Sequence, residues 1–284
     1  QYRVRARAEP PPAGGSPMNG RLNGPVAWFL ALVTAATMIF ILAPLLVTVA
    51  LSISTSPFVT FPPRGFTLSW YGEVLADPEF RQSLVFSTLL ALGATGGAML
   101  LGVPAAFALT RHEFPGRGAA EAALLSPLIF PVLITGVALL QMFATLRANN
   151  TPLNMLIAHV LVTMPYVVRT VAGSLLLADG TLEDAARTLG AGRWRVFRRI
   201  TVPQIAPGLA AGALFAFMVS FDNFPISLWL ADAQYNPIPI LVFQRIANVF
   251  NPSIAAMSTL MILLSMAIVV AMERAIGLRR AVAI

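Results

Sequence analysis

The chain has 284 residues, of which 57% are hydrophobic and 11% charged, with a formal charge of +7 at pH 7. About a quarter of the residues of a soluble globular domain are charged, so this chain cannot cover itself with solvated groups in water, and its apolar runs of about 20 residues suit a hydrocarbon core. There is no cysteine and there are only two histidines, which excludes disulfides and thiolate metal sites; there is no lysine, so the positive charge is entirely arginine.

Residues 1–25 carry Arg3, Arg5, Arg7 and Arg21 among Pro10, Pro11, Pro12, Gly14 and Gly15, with too few large apolar side chains to form a core, and read as a disordered cytoplasmic tail. The apolar run 26–51 is longer than the core of a cleavable leader and is not followed by a small-x-small site, so it reads as a retained first span. Further runs at 83–109, 119–146, 152–177, 208–230 and 253–276 bring the expectation to six transmembrane helices, an all-α integral membrane protein with its transmembrane domain over 26–280. Prolines inside these runs, Pro44, Pro104, Pro127, Pro131, Pro165 and Pro225, are expected to bend or break their helices. Gly93 with Gly97, and Gly208 with Gly212, have the four-residue spacing that lets helix backbones approach closely in lipid; the same residues also suit an ordinary alanine-rich membrane helix.

Arginine placement gives an orientation. With six alternating spans, the tail, Arg111 and Arg117, the cluster from Arg187 to Arg199, and Arg274, Arg279 and Arg280 fall on one side. The other side holds Arg64, Arg81, Arg147 and Arg245 together with Glu73, Asp77, Glu79 and Asp232. Short cytoplasmic loops retain positive charge, so both termini and the loop 178–207 are expected in the cytoplasm. This use of arginine points to a bilayer and not to nucleic acid.

The loop reads LEDAARTLGAGRWRVFRRITVP over 182–203. Thr181 is expected to cap a short helix with Asp184 three residues on, Glu183 and Asp184 favour its positive N-terminal end, and Gly190 suits a left-handed terminating residue. A second helix is expected over 193–200, with Trp194, Phe197 and Ile200 at three-residue steps and Pro203 limiting its extent. An amphipathic helix lying in the headgroup layer accounts for the arginines and aromatics but not for the ordered spacing of acid, alanines, glycine and proline.

That spacing resembles the EAA loop of ATP-binding-cassette importer permeases, Glu-Ala-Ala, three residues, Gly, nine residues, Ile-x-Leu-Pro. Asp184, Ala185, Ala186, Gly190, Ile200 and Pro203 fall at those places, with Asp184 standing for Glu and Val202 for Leu. The segments GFTLSWY at 65–71, FPGR at 114–117 and SFDNFPIS at 220–227 resemble the spermidine/putrescine-type branch. The resemblance implies a type I importer permease whose loop docks on a separate ATPase through Glu183, Asp184, Ala185, Ala186, Gly190 and Arg193. It implies a second permease subunit, an extracytoplasmic substrate-binding protein, a place in the bacterial cytoplasmic membrane, and a polyamine-like solute carried by alternating access. No cofactor is expected on this chain; ATP and Mg belong to the partner, since a P-loop needs a lysine that this sequence lacks. The chain is therefore expected to be a transport subunit and not an enzyme, with an ATPase-independent secondary transporter or channel as the competing reading.

An ionisable residue within a span needs a partner, water or cargo. Asp222, about 21 Å above Gly208 at about 1.5 Å per residue, stands with Asn223, Phe221 and Trp229 as a candidate pathway lining. Two roles are open to it, contact with cargo or bracing of a bent helix end. Arg169 is expected to snorkel to the cytoplasmic interface, in preference to an internal gate role, and His159 and His112 to be packed or solvated histidines.

Overall fold

The computed structural model describes residues 24–58, 60–248 and 251–276. The expected tail 1–25 lies almost wholly outside the described residues. Every regular element among them is helical: α1 (Pro25–Ser52), α2 (Ser69–Ala76), α3 (Pro78–Arg111), α4 (Arg117–Leu125), α5 (Val132–Thr145), α6 (Thr151–Leu177), α7 (Gly180–Thr188), α8 (Arg193–Val196), α9 (Val202–Phe221), α10 (Phe224–Leu230), α11 (Ile238–Asn248) and α12 (Pro252–Ile276). A 3-10 turn, Ser126–Leu128, follows α4, and a π turn, Phe197–Thr201, joins α8 to α9.

The chain divides into two units, 1–47 and 48–284. In the first, α1 leaves Trp28, Phe29, Leu32, Ile39 and Phe40 exposed, a surface that lipid solvates and water does not. The second unit is built on α3, α6 and α9.

Five helices are long and apolar enough to cross a membrane, and the pair Arg117–Leu128 and Val132–Thr145 makes a sixth candidate bent by 103°. The expected run 119–146 is therefore not one straight helix. Its break falls at 129–131, where Pro131 adopts an extended ψ of 121° and starts α5; a proline ring there cannot continue the preceding helix. The expected run 208–230 is likewise interrupted. Asp222 ends α9 and Asn223 caps α10, with Pro225 in the first turn of the new helix, where its missing N–H costs nothing. At the other end of the same span the opposite correction applies. Pro203 does not stop the helix that begins at Arg193, which runs on unbroken to Phe221 over 29 residues. The π turn immediately before Pro203 widens the coil by one residue per turn, and helices accommodate local strain with such bulges.

Among lipid tails, apolar helices gain little by meeting one another, so close van der Waals packing decides which surfaces associate. On α3 the buried residues Ala91, Ala94, Ala98, Gly102 and Ala106 form a stripe of small side chains. A Cβ placed on Gly97 would stand 2.6 Å from Val160 Cγ2 of α6. On α9 a Cβ at Gly208 would stand 2.7 Å from the Thr170 carbonyl oxygen of α6, and one at Gly212 would stand 2.6 Å from Thr170 Oγ1. The paired glycines are thus contact points at which α6 packs directly against its neighbours.

The ends of the bundle have different chemistry. At one end, Arg111 of α3, Leu177 of α6 and the base of α9 converge on the loop 178–207. At the far end, the Arg245 Nη2 of α11 donates to Asp77 Oδ2 at 2.8 Å and Glu79 Oε2 at 2.6 Å, pinning α11 to the start of α3. There too, the Thr151 hydroxyl holds the Asp232 carboxyl below the usual carboxylate range.

Candidate functional site

The loop folds as the sequence grammar suggests, with one shift at its start. Asp179, and not Thr181, is the N-cap of α7: its Oδ1 accepts from the Thr181 backbone N–H at 2.9 Å and from the Thr181 hydroxyl at 2.7 Å. Asp179 takes the extended conformation a cap requires, φ −76° and ψ 106°, as the chain leaves α6, so Thr181 falls inside the helix. The Thr181 hydroxyl, then its backbone N–H, hold the Asp179 carboxyl below the usual carboxylate range. Gln204 Oε1 of α9 accepts from the Asp179 backbone N–H at 2.8 Å, fastening the start of the loop to its end.

At the far end of α7, Gly190 adopts φ +81°. The Gly190 N–H donates to the Arg187 carbonyl at 2.9 Å and the Ala191 N–H to the Ala186 carbonyl at 3.0 Å, the paired bonds of a Schellman stop. Gly192 then caps α8 from an extended conformation. Trp194 stacks on Phe197 with centroids 5.5 Å apart, and Phe197 in turn meets Phe107 of α3 at 5.5 Å.

α7 shows two faces. Leu182, Asp184, Ala185 and Leu189 are exposed, Leu189 to 88%, and Ala186 is half-buried beneath them. Glu183 alone turns inward: it is 8% exposed and accepts from Thr201 Oγ1 at 2.9 Å, Arg111 Nη2 at 3.3 Å and Arg187 Nη2 at 3.4 Å. Asp184 keeps an open carboxylate with one exposed ion pair to Arg187 at 3.3 Å. Beside the helix lies a cleft of about 460 Å³ lined by Arg111, Asp184, Arg187 and Arg193, with Glu183 and Thr201 on its inner side. Leu182 and Leu189 thus form an exposed apolar rim around Ala185 and Ala186, with the Asp184 carboxylate exposed beside it.

The four candidate pathway residues separate. Asp222 and Trp229 are exposed, whereas Phe221 is buried and stacked on Phe217 at 5.6 Å. Asn223 is buried too, its Oδ1 accepting from the Ile226 N–H at 3.0 Å. Phe215, two turns below Asp222 on α9, is exposed and meets Tyr166 of α6 at 6.4 Å, so aromatic surface continues down that face. Arg169, one turn beyond Tyr166, is exposed.

Sequence reasoning passed over the buried polar group at the α9–α10 break. His159 Nδ1 lies 2.8 Å from Ser220 Oγ, and Nε2 lies 3.5 Å from Ser227 Oγ. The signal was present in Ser220 and Ser227, seven residues apart across the break, but nothing local paired them with a histidine 61 residues earlier.

Several candidate spans packed around a small-residue core, one of them broken at an exposed carboxylate, make the architecture of a multi-span membrane protein. Residues 18–281 match the family of binding-protein-dependent transport system inner membrane components, and the chain belongs to it. It is 34% identical over 230 residues to the putrescine transport system permease protein PotI of Escherichia coli strain K12, an alignment spanning 78% of this chain and 82% of that one. It is 30% identical over 207 residues to the spermidine/putrescine transport system permease protein PotC of Haemophilus influenzae, covering 73% and 80%. The fold is that of a chain in a bacterial ABC transporter involved in the import of the acidic polysaccharide alginate, with a TM-score of 0.65, 18% identity and coverage of 92% and 99%.

Proposed function

We propose that this permease forms half of the path of an ATP-driven importer in the bacterial cytoplasmic membrane, with both termini and the loop 178–207 in the cytoplasm. A second permease subunit completes the path, and an extracytoplasmic binding protein delivers the cargo. A partner ATPase, holding ATP and Mg, docks on the free face of α7. The carrying observation is that face: Leu182, Asp184, Ala185 and Leu189 stand exposed on a helix fixed at both ends, with Ala186, Gly190 and Arg193 around it. The names of PotI and PotC favour an organic polycation as cargo. The exposed Asp222 carboxylate and Trp229 ring at the α9–α10 break suit such a cation, with the buried Asn223 and Phe221 holding that break in shape.

The test is to purify the tagged chain from its own membranes with its ATPase, then reconstitute putrescine uptake. Asp184→Lys places a positive charge at a helix N-terminus that favours a negative one. A Cβ on Gly190 meets no atom within 4 Å, so Gly190→Val acts chiefly through the strain of a β-branched residue at φ +81°. Both variants are expected at normal membrane levels with ATPase retention and uptake reduced about tenfold, the effect of about 1.4 kcal/mol. Normal retention and uptake in both would remove the loop from the docking role.

A further inference from the structure

Glu183 belongs to the docking helix by sequence, yet it is 8% exposed and its carboxylate is turned into the bundle at the inner side of the cleft beside α7. Its Oε1 accepts from Thr201 Oγ1 at 2.9 Å and Arg111 Nη2 at 3.3 Å, while Oε2 accepts from Arg187 Nη2 at 3.4 Å. The donors come from three places: the last residue of α3, α7 itself, and the π turn at the base of α9. Thr201 is only 4% exposed, so the shared carboxylate sits where water competes poorly for its hydrogen bonds. A buried carboxylate with both oxygens engaged fixes register between elements more than it adds stability, because desolvation offsets much of the attraction.

We propose that Glu183 is a positioning residue that joins α7 to α3 and α9, so that a displacement of the docking helix reaches both spans together. This rests on the docking reading of α7 but gives Glu183 an inward bracing role, distinct from the exposed face of Leu182, Asp184, Ala185 and Leu189. The ATPase meets Asp184 and the apolar rim; Glu183 carries the motion inward. Removing its charge therefore leaves docking intact and separates ATP hydrolysis from movement of cargo.

The experiment uses the complete complex isolated through the tagged chain and reconstituted in vesicles, with labelled putrescine and released phosphate measured together. Glu183→Gln keeps the side-chain shape. It is expected to retain the ATPase within about twofold and to hydrolyse ATP, while putrescine moved per ATP falls about tenfold, the factor that loss of a charge-assisted hydrogen bond gives. Thr201→Val, which leaves the carboxylate and both arginines in place, is expected to lower the same ratio by about threefold. A merely structural role would reduce complex recovery and leave the ratio of the surviving complexes unchanged, which overturns the proposal. So does loss of ATPase retention in Glu183→Gln as large as in Asp184→Lys, since Glu183 would then be a docking contact. If Glu183→Gln fails to accumulate, an unaltered ratio in Thr201→Val overturns the proposal by itself. Full retention and uptake in Asp184→Lys instead brings down the docking reading, an outcome distinct from an unaltered ratio in Glu183→Gln.

Discussion

Asp222 meets the geometric demands of both roles that the sequence leaves open to it, the helix end and an exposed carboxylate. It closes α9, its backbone N–H donating to the Met218 carbonyl at 3.2 Å, and so belongs to the bend. Its side chain is nevertheless exposed and aimed away from the packed interior, so the carboxylate stays free for a cation. Asp222→Asn keeps the size and the bend but removes the charge. For a polyamine cargo it is expected to raise the half-saturating putrescine concentration of reconstituted uptake about tenfold, the effect of about 1.4 kcal/mol, with little change in maximal rate. An unaltered half-saturating concentration would leave Asp222 with the structural role alone.

Elements in this bundle are held by backbone approach, and that gives their packing a low tolerance for added atoms. A Cβ on Gly208 would fall 2.7 Å from the Thr170 carbonyl and within contact of Ser174, and the carbonyl cannot swing aside as a flexible side chain does. Gly208→Val is expected to force α6 and α9 apart and to cost about 1–3 kcal/mol, lowering the unfolding midpoint in detergent by several degrees. A midpoint equal to that of the parent would mean the two helices are not in register at this glycine. Gly208 and Gly212 were visible as a spaced pair, but their partner was not, because spacing states what a helix offers and not what it meets. The same limit applies in the loop. The turn at Gly190 was legible since a left-handed residue has few chemical solutions, whereas the inward turn of Glu183 depended on Arg111, 72 residues away. The cap was misplaced by two residues because Asp179 and Thr181 are both good caps, and only the exit direction of α6 decides between them. Pro203 misled for a related reason: the rule that proline ends a helix assumes a normal α turn before it, and a π turn stands there.

At the scale of the whole chain, charge separates the two ends. Arginine crowds the loop end, at Arg187, Arg193, Arg195, Arg198 and Arg199, while the far end pairs Arg245 with Asp77 and Glu79. This asymmetry underlies the proposed orientation. A single chain exposes apolar surface along its spans and a free docking face, and the proposed assembly covers part of both with protein. Mass measurement of the intact complex is therefore expected to give two permease subunits and at least one bound ATPase. A functional complex containing one permease would show that this chain forms the whole path.

The unbroken helix from Arg193 to Phe221 has a mechanical consequence. It spans 29 residues, about 43 Å at about 1.5 Å per residue, with the loop at one end and Asp222 at the other. Near its base the helix is tied to α7 at two points, Thr201 to Glu183 and Gln204 to Asp179. If it pivots at its base, a tilt of about 10° sweeps the tip sideways by about 7 Å, more than the pitch of one helical turn, about 5.4 Å. Under the proposed docking, a small rocking of α7 would then become a displacement of several ångströms near Asp222, without any helix having to melt or re-form.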